Sequence, residues 1–328
     1  MLHPANCQSD VLINRCSEIK MSSRAASSKP EAIVIWNSSA GSTSQAEEVR
    51  RALDAHPGVT LLESGSREAA ISQVETACRY GHPRVIAAGG DGTVNAVVTA
   101  LVNWQRDQGS APVLAVLPLG TGNDLARSLQ MPLDPAQAVE ICLNGRSVPI
   151  DVLELDCGDG QIRIAANMVT AGNTGKYLEV LTDDLKQRWG ALCYLRGAVD
   201  ILEELEAFKV ELTIDDEEPI DVVALNLFCA NGRTSGGGMT VCADACLNDG
   251  QFDLLVIQDG TGLDLASLTV DYLTSDIRDS ELVRYRRCRR VRVSCPTAIP
   301  LSADGDPAKA AQFAVTVRPT AIQAVVGA

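Results

Sequence analysis

Aromatic side chains are scarce in this 328-residue chain, where Phe, Trp and Tyr together make up 4%. Single-stranded nucleic-acid platforms need stacking rings, so that class is disfavoured. Positive charge is also short. The chain has 28 Lys and Arg against 42 Asp and Glu, a net charge of −14. A phosphate backbone demands a basic face, so nucleic acid is not an expected partner. Histidine occurs only as His3, His56 and His82, far from the nearest cysteine pair, Cys242 and Cys246. That spacing does not suit zinc. The eleven cysteines form no paired framework, which fits reduced thiols in a cytosol. No apolar run reaches about 18 residues, so no transmembrane helix is expected. The start of the chain lacks an apolar core, so a secretory signal is not expected either. Two nucleotide motifs are missing as well: there is no G-x-x-x-x-G-K-[ST], and no G-x-G-x-x-G opens a helix after the first predicted strand.

What is present is a regular alternation. Residues 1–30 are polar and serine-rich and are expected to be a disordered extension. From Ala32 the predicted order is strand 32–36, helix 45–55, strand 59–62, helix 67–80, strand 84–88, helix 94–104 and strand 113–117. Strands alternating with helices mean a parallel sheet covered by helices. Beyond Ile150 the pattern changes to runs of strands, at 150–155, 162–168, 209–214, 222–229, 252–257, 291–294, 299–301 and 313–317, with helices only between Lys176 and Ala207. The expected fold is a Rossmann-like α/β domain over 31–148, then an antiparallel β-sandwich over 149–328 whose end packs back on the first domain.

Three small polar loops follow predicted strands: Asn37–Thr43 (NSSAGST), Gly89–Thr93 (GGDGT) and Gly120–Asp124 (GTGND). In an open parallel sheet, ligands bind outside the carboxyl ends of the strands. Glycine lets backbone N–H groups approach phosphate oxygens. Ser39, Thr93 and Thr121 add hydroxyl donors, and helices starting near Thr93 and Asn123 point their N-termini at an anion. A lone carboxylate would repel phosphate, so Asp91 and Asp124 make sense with Mg²⁺ between them and the phosphates. Taken alone, a GG-D-G is often just a turn; three such loops are harder to dismiss. Further on, Asp304-Gly305-Asp306 could hold a carboxylate where a hydroxyl arrives. By itself D-G-D is more often a solvated turn. Asp249, after NGRTSGGG at 231–238, reads either as part of a hairpin or as a divalent-cation ligand.

These stretches resemble the diacylglycerol kinase catalytic family, especially its bacterial lipid kinases. The resemblance runs from about Ala32 to the C-terminus. It rests on GGDGT-V-N at Gly89–Asn95 and GTGND-L-A-R at Gly120–Arg127, with ANG-R-x-x-GGGM at Ala230–Met239, DG-x-F-D-L at Asp249–Leu254 and W-G-x-L-C-Y-L at Trp189–Leu195. It implies an ATP- and Mg²⁺-dependent kinase of diacylglycerol or a related membrane lipid. It further implies a cytoplasmic protein that touches the membrane peripherally and transiently, and a homodimer. Carried over, Asn37, Ser38, Ser39, Ala40, Gly41, Ser64, Gly89, Gly90, Asp91, Gly92, Thr93, Val94, Asn95, Ala96, Gly120, Thr121 and Asn123 would bind the nucleotide. Asp91 and Asp124 would position catalytic Mg²⁺. Asp304 and Asp306 fall on the acids of the family's D-G-E turn, the third position being the usual proton acceptor. A structural Mg²⁺ would use Asp249 with carbonyls near Cys246 and Gln251. Three positions depart from the family: Ser38 replaces proline, Ala96 replaces Glu, and Asp306 replaces Glu. The last withdraws the base by about an ångström, enough to matter where placement carries rate.

Lys186–Arg196 mixes basic and amphipathic side chains, as a headgroup boundary would, and reads equally as a core-facing helix pair. Two other readings stand beside the lipid kinase. One is an NAD-kinase-like enzyme with a soluble hydroxyl substrate; the other is a binding module with weak or no turnover.

Overall fold

The computed structural model describes residues 31–37, 43–173, 205–261, 264 and 277–327. The expectations for residues 1–30, for Ser38, Ser39, Ala40 and Gly41, for Lys186–Arg196 and for nearly all of the Lys176–Ala207 helices lie outside them.

The first half is four parallel strands in the order β2-β1-β3-β4. β1 (Ala32–Asn37) pairs with β2 (Val59–Ser64) and β3 (Arg84–Gly89), and β3 pairs with β4 (Val113–Pro118). β1, β3 and β4 are almost wholly buried, which explains their unbroken apolar runs. Between them run α1 (Thr43–Asp54), α2 (Arg67–Arg79) and α3 (Asp91–Gln108). Ser66 caps α2 by accepting the Ala69 N–H, and Gly109 ends α3 at φ 77°, a left-handed stop that suits glycine. Two helices follow: α4 (Asp124–Ser128), the helix expected to start near Asn123, and α5 (Pro135–Asn144), which the sequence pattern did not yield. α5 starts on Asp134, which accepts the Gln137 N–H, with Pro135 at the first helical position.

The second half is antiparallel. Its strands are β5 (Ser147–Asp156), β6 (Ile162–Ala165), β7 (Met168–Gly172), β8 (Phe208–Ile214), β9 (Ile220–Ala230), the short pair β10 (Thr234–Ser235) and β11 (Met239–Thr240), then β12 (Phe252–Gln258), β13 (Val283–Cys288), β14 (Arg290–Ala303) and β15 (Asp306–Val325). β9 pairs with β8 at one end and β7 at the other, and so does β14. The two long strands thereby pass between layers and enclose an apolar filling that includes Leu155, Leu212, Leu227, Phe252, Leu254 and Phe313.

Several expected strands merge or split. The predicted strands 291–294 and 299–301 are one strand, β14, whose pairing with β15 shifts register between Ser294 and Ile299. The predicted strand 162–168 is instead two, broken at Ala166 and Asn167. β15 is 20 residues long. It follows β14, then β5, and reaches β4 in parallel at Ala324 beside Leu114. Ile322, Ala324 and Val325 are therefore buried in the first half's core with Val97, Leu101 and Leu114. The C-terminal strand fastens the β-rich half to the parallel sheet and fixes where the loops of the two halves meet.

Candidate active site

The two glycine–aspartate loops are built into each other. α3 begins at Asp91, earlier than the expected Val94, because the Thr93 and Val94 N–H groups already bond the Gly90 carbonyl. A Cβ on Gly120 would lie 2.4 Å from the Gly90 Cα, and one on Gly122 would lie 2.3 Å from Asp91 Oδ2. Both positions require glycine because backbone meets backbone or carboxylate there. Asn123 sits at φ 55°, a conformation asparagine tolerates. Its side chain accepts from the Gly120 N–H at 2.9 Å and donates to the Gly120 carbonyl at 2.6 Å.

Asp91 closes this lock. Its carboxylate accepts the Asn123 N–H at 3.0 Å and the Asp124 N–H at 2.8 Å. Burial raises its pKa above the ordinary value; the two N–H bonds oppose the rise and the neighbouring Asp124 charge adds to it. Asp124 is engaged from the other half. It accepts the N–H groups of Gly237 at 3.2 Å and Gly238 at 2.8 Å, both glycines having φ 95°. The 231–238 loop is thus more than a hairpin: it docks on a carboxylate of the first half.

Asp304 has φ 47° in the tight turn between β14 and β15. Its carboxylate takes the N–H groups of Ala166, Asn167 and Met168, at 2.7, 3.1 and 2.7 Å for the shortest contacts. This is the reason for the break between β6 and β7, whose backbone turns its donors to the acid. Burial nevertheless pushes the Asp304 carboxyl up to about 6, with Asp91 contributing repulsion. Asp91, Asp124 and Asp304 line one cavity of about 370 Å³ with Val94, Leu125 and Met168, and among the described residues no Lys or Arg lines it.

Asp306 points elsewhere. Its Oδ2 is 3.6 Å from Arg67 Nη2, and it does not line that cavity. Arg67 opens α2 and lines a second cavity of about 360 Å³ with Asn37, Ser64, Ser66, Gly90, Gly92, Thr93 and Ala96. Asn37 Nδ2 donates to Thr93 Oγ1 at 3.2 Å, and the Ser64 hydroxyl donates to the Trp36 carbonyl. The two cavities flank the Gly90–Gly92 turn.

Not every expected ligand faces a cavity. Asn95 is buried, and its amide donates to the Ile164 carbonyl at 2.8 Å, so it braces α3 against β6. Thr121 is exposed and lines neither cavity. Gly89 contributes spacing, since a Cβ there would lie 2.5 Å from Thr93 Oγ1. At the expected cation site of Asp249, Cys246 and Gln251, the Asp249 carboxylate and the Cys246 thiol have partners within the protein. Asp249 accepts the Gln251 N–H and pairs with Arg287, and Cys246 donates to Asn248. The guanidinium sets a positive charge beside the Asp249 carboxylate. Chelators are accordingly expected to leave the unfolding midpoint of the nucleotide-free protein unchanged, whereas Arg287→Gln lowers stability by about 0.2–1 kcal/mol, the usual worth of an exposed pair. A chelator-induced drop in a thermal melt would place a cation in that loop after all.

Sequence reasoning missed Arg67, Asn167 and Ser128. Asn167 is buried, donates to the Thr234 carbonyl and accepts from the Ser128 hydroxyl, which also receives the Arg233 N–H. A Cβ on Gly232 would lie 2.0 Å from Asn167 Oδ1. The glycine of A-N-G-R was therefore the available signal for this junction.

The α/β half, the β-rich half and the carboxylate-lined cleft between their loops define a two-domain phosphotransferase that phosphorylates a hydroxyl group. Residues 31–155 match the diacylglycerol kinase catalytic domain, and residues 161–326 match the YegS C-terminal NAD kinase beta sandwich-like domain. The chain belongs to this family, whose relatives are named lipid kinases. A probable lipid kinase YegS-like of Klebsiella pneumoniae (strain 342) is 30% identical over 299 residues, covering 90% of this chain and 95% of its own. One of Serratia proteamaculans (strain 568) is 29% identical over 294 residues, covering 90% and 93%. The crystal structure of a putative diacylglycerol kinase from Bacillus anthracis str. Sterne has the same fold, with a TM-score of 0.72 over 91% of this chain and 98% of that one, at 19% identity. No helix among the described residues is long and apolar enough to cross a membrane.

Proposed function

We propose that the protein transfers the γ-phosphate of ATP, with Mg²⁺, to the hydroxyl of diacylglycerol or a related membrane lipid. The observation that carries this reading is the division of labour across the Gly90–Gly92 turn. One cavity is lined by glycines, hydroxyls, a guanidinium and the starts of α2 and α3, and no carboxylate among the described residues lines it. That set suits polyphosphate. The other is lined by three carboxylates, which suits a hydroxyl that must lose a proton beside a cation.

Mg²⁺ fits Asp91 and Asp124. Each carboxylate spends two acceptor positions on backbone N–H groups and keeps others free. Among the described residues, no basic neighbour lines the cavity to balance their mutual repulsion. Magnesium commonly takes one or two carboxylates and completes its shell with phosphate and water. When bound, it would neutralise charge on the transferring phosphoryl group. Asp304 holds the β14–β15 turn against the Ala166–Met168 backbone and so sets the reach of Asp306. Asp306, at the far side of that turn, takes the acceptor proton. We place the reaction at the bilayer surface, with peripheral and transient contact in keeping with the charge of −14. The assembly we propose is a homodimer, which light scattering tests.

The test is transfer of labelled γ-phosphate from Mg-ATP in mixed micelles holding diacylglycerol, phosphatidylglycerol, monoacylglycerol or sphingosine, with NAD as soluble control. A labelled lipid is expected. Label on NAD alone would move the protein to soluble-substrate chemistry. Bound ATP with no transfer to any acceptor would leave a binding module.

A further inference from the structure

We propose that Arg67 is a phosphate-binding residue of the nucleotide cavity, and that bound nucleotide draws its guanidinium off Asp306 and so frees that carboxylate to act as the base. The inference rests on the nucleotide reading given above and extends it to a residue outside the glycine loops.

Arg67 is the first residue of α2, held there by the Ser66 cap. It lines the cavity shared by Gly90, Gly92 and Thr93. Nη2 alone makes its contacts, at 3.6 Å to Asp306 and 3.5 Å to Thr99 Oγ1. Both are long for hydrogen bonds. A guanidinium has five N–H donors, so most of its capacity is unspent. The ion pair itself is loose: the two side chains are 34% and 33% exposed, and such pairs contribute little. A polyphosphate carries several charges and offers bidentate oxygens, which a guanidinium matches better than a single distant carboxylate. The charge gradient therefore favours exchange of partners when nucleotide enters.

The exchange has a chemical use. Paired with Arg67, the Asp306 carboxylate faces a guanidinium at 3.6 Å instead of the acceptor hydroxyl. Released, it can take the proton of the acceptor hydroxyl. The hydroxyl oxygen bonds to the γ-phosphorus as the bond to the β-phosphate oxygen breaks, and ADP leaves. Asp306 does not become an isolated charge, because the Arg163 guanidinium also acts on it; Arg163 Nη1 is buried and without a hydrogen-bond partner. The base would thus be available only when a phosphate is in place.

The experiment is calorimetric titration of the full chain with Mg-ATP and with AMP, comparing Arg67→Met, Arg67→Lys, Asp306→Asn and the Arg67→Met/Asp306→Asn double variant. Arg67→Met is expected to weaken ATP about tenfold and to leave AMP unchanged, since AMP lacks the outer phosphates. Arg67→Lys recovers part of the loss. Asp306→Asn is expected to tighten ATP severalfold, and by more when Arg67 is present than when it is Met, because only then is a guanidinium released. ATP affinity unmoved by Arg67→Met, equal losses for AMP and ATP, or strictly additive effects in the double variant would each overturn the proposal. Unaltered protein that binds no ATP would overturn the nucleotide site itself, a separate and distinguishable result.

Discussion

Asp91→Ala is expected to lower kcat by about 10²-fold or more, the scale seen when a group stabilising transition-state charge is lost. Asp91 does two things in the structure. It accepts the N–H groups of Asn123 and Asp124, which holds the second glycine loop against the first. It also lines the acceptor cavity with Asp124 and Asp304. Alanine removes both. Orphaning those two donors costs about 1–3 kcal/mol each at full burial, so the melting midpoint falls too. Asp91→Asn separates the roles. It keeps the shape and one carbonyl acceptor but removes the charge. The asparagine variant is expected to melt closer to the unaltered protein while losing nearly as much kcat. Saturating kinetics in mixed micelles beside thermal melts check this. Asparagine that keeps kcat within about threefold would mean that the charge is not used in the transition state, and Asp91 would then be only a clamp between loops.

How far such a site can be read in advance depends on whether its contacts are local. Gly90 and Gly120 stand out in the sequence because their backbones touch, and Gly89 because a Cβ there would strike the Thr93 side chain. α2 and the parallel strands were legible because a cap residue and unbroken apolar runs mark them. α5 carried an equally local signal, Asp134 followed by Pro135, and it went unread beside the weaker periodicity of its body. β14 was divided in prediction at 295–298, where Pro296 interrupts its text; the strand survives through the register shift between Ser294 and Ile299. The roles within Asp304-Gly305-Asp306 were not legible at all. Positive φ at Asp304 and Gly305 closes a two-residue hairpin in which Ala303 pairs with Asp306. That geometry turns the first acid back onto Ala166–Met168, with Met168 lying 136 residues away in sequence. It leaves the second facing α2. Nothing near the turn specifies either partner, and the same is true of Asn167 and Thr234.

Asp304→Asn is expected to raise stability fully above about pH 6, by about half as much near pH 5, and to change it little below about pH 4. Burial pushes this carboxyl up to about 6 from an ordinary 3.8. The folded protein therefore holds the proton more tightly than the unfolded chain does. The sign follows from linkage: the stability associated with the protonated acid is fully present below the unfolded value and is lost as pH rises through the folded one. The full shift corresponds to about 3 kcal/mol at 1.36 kcal/mol per pKa unit; solvent in the cavity reduces this to about 1–2 kcal/mol. Asparagine imitates the protonated acid. It is neutral, offers one carbonyl to the three N–H groups, and tolerates the left-handed φ of 47°. Unfolding midpoints of both proteins without metal, from about pH 3.5 to 8, test the argument; metal is withheld because the Asp91 charge contributes to the shift. The gap should favour the variant by a few degrees at pH 8, shrink to about half of that near pH 5 and close below about pH 4. A variant less stable at pH 8 would mean that three bonds to an ionised carboxylate outweigh its burial. If the gap appears as expected and phosphate transfer falls with it, the ionised Asp304 is retained at the expense of stability because the reaction needs it.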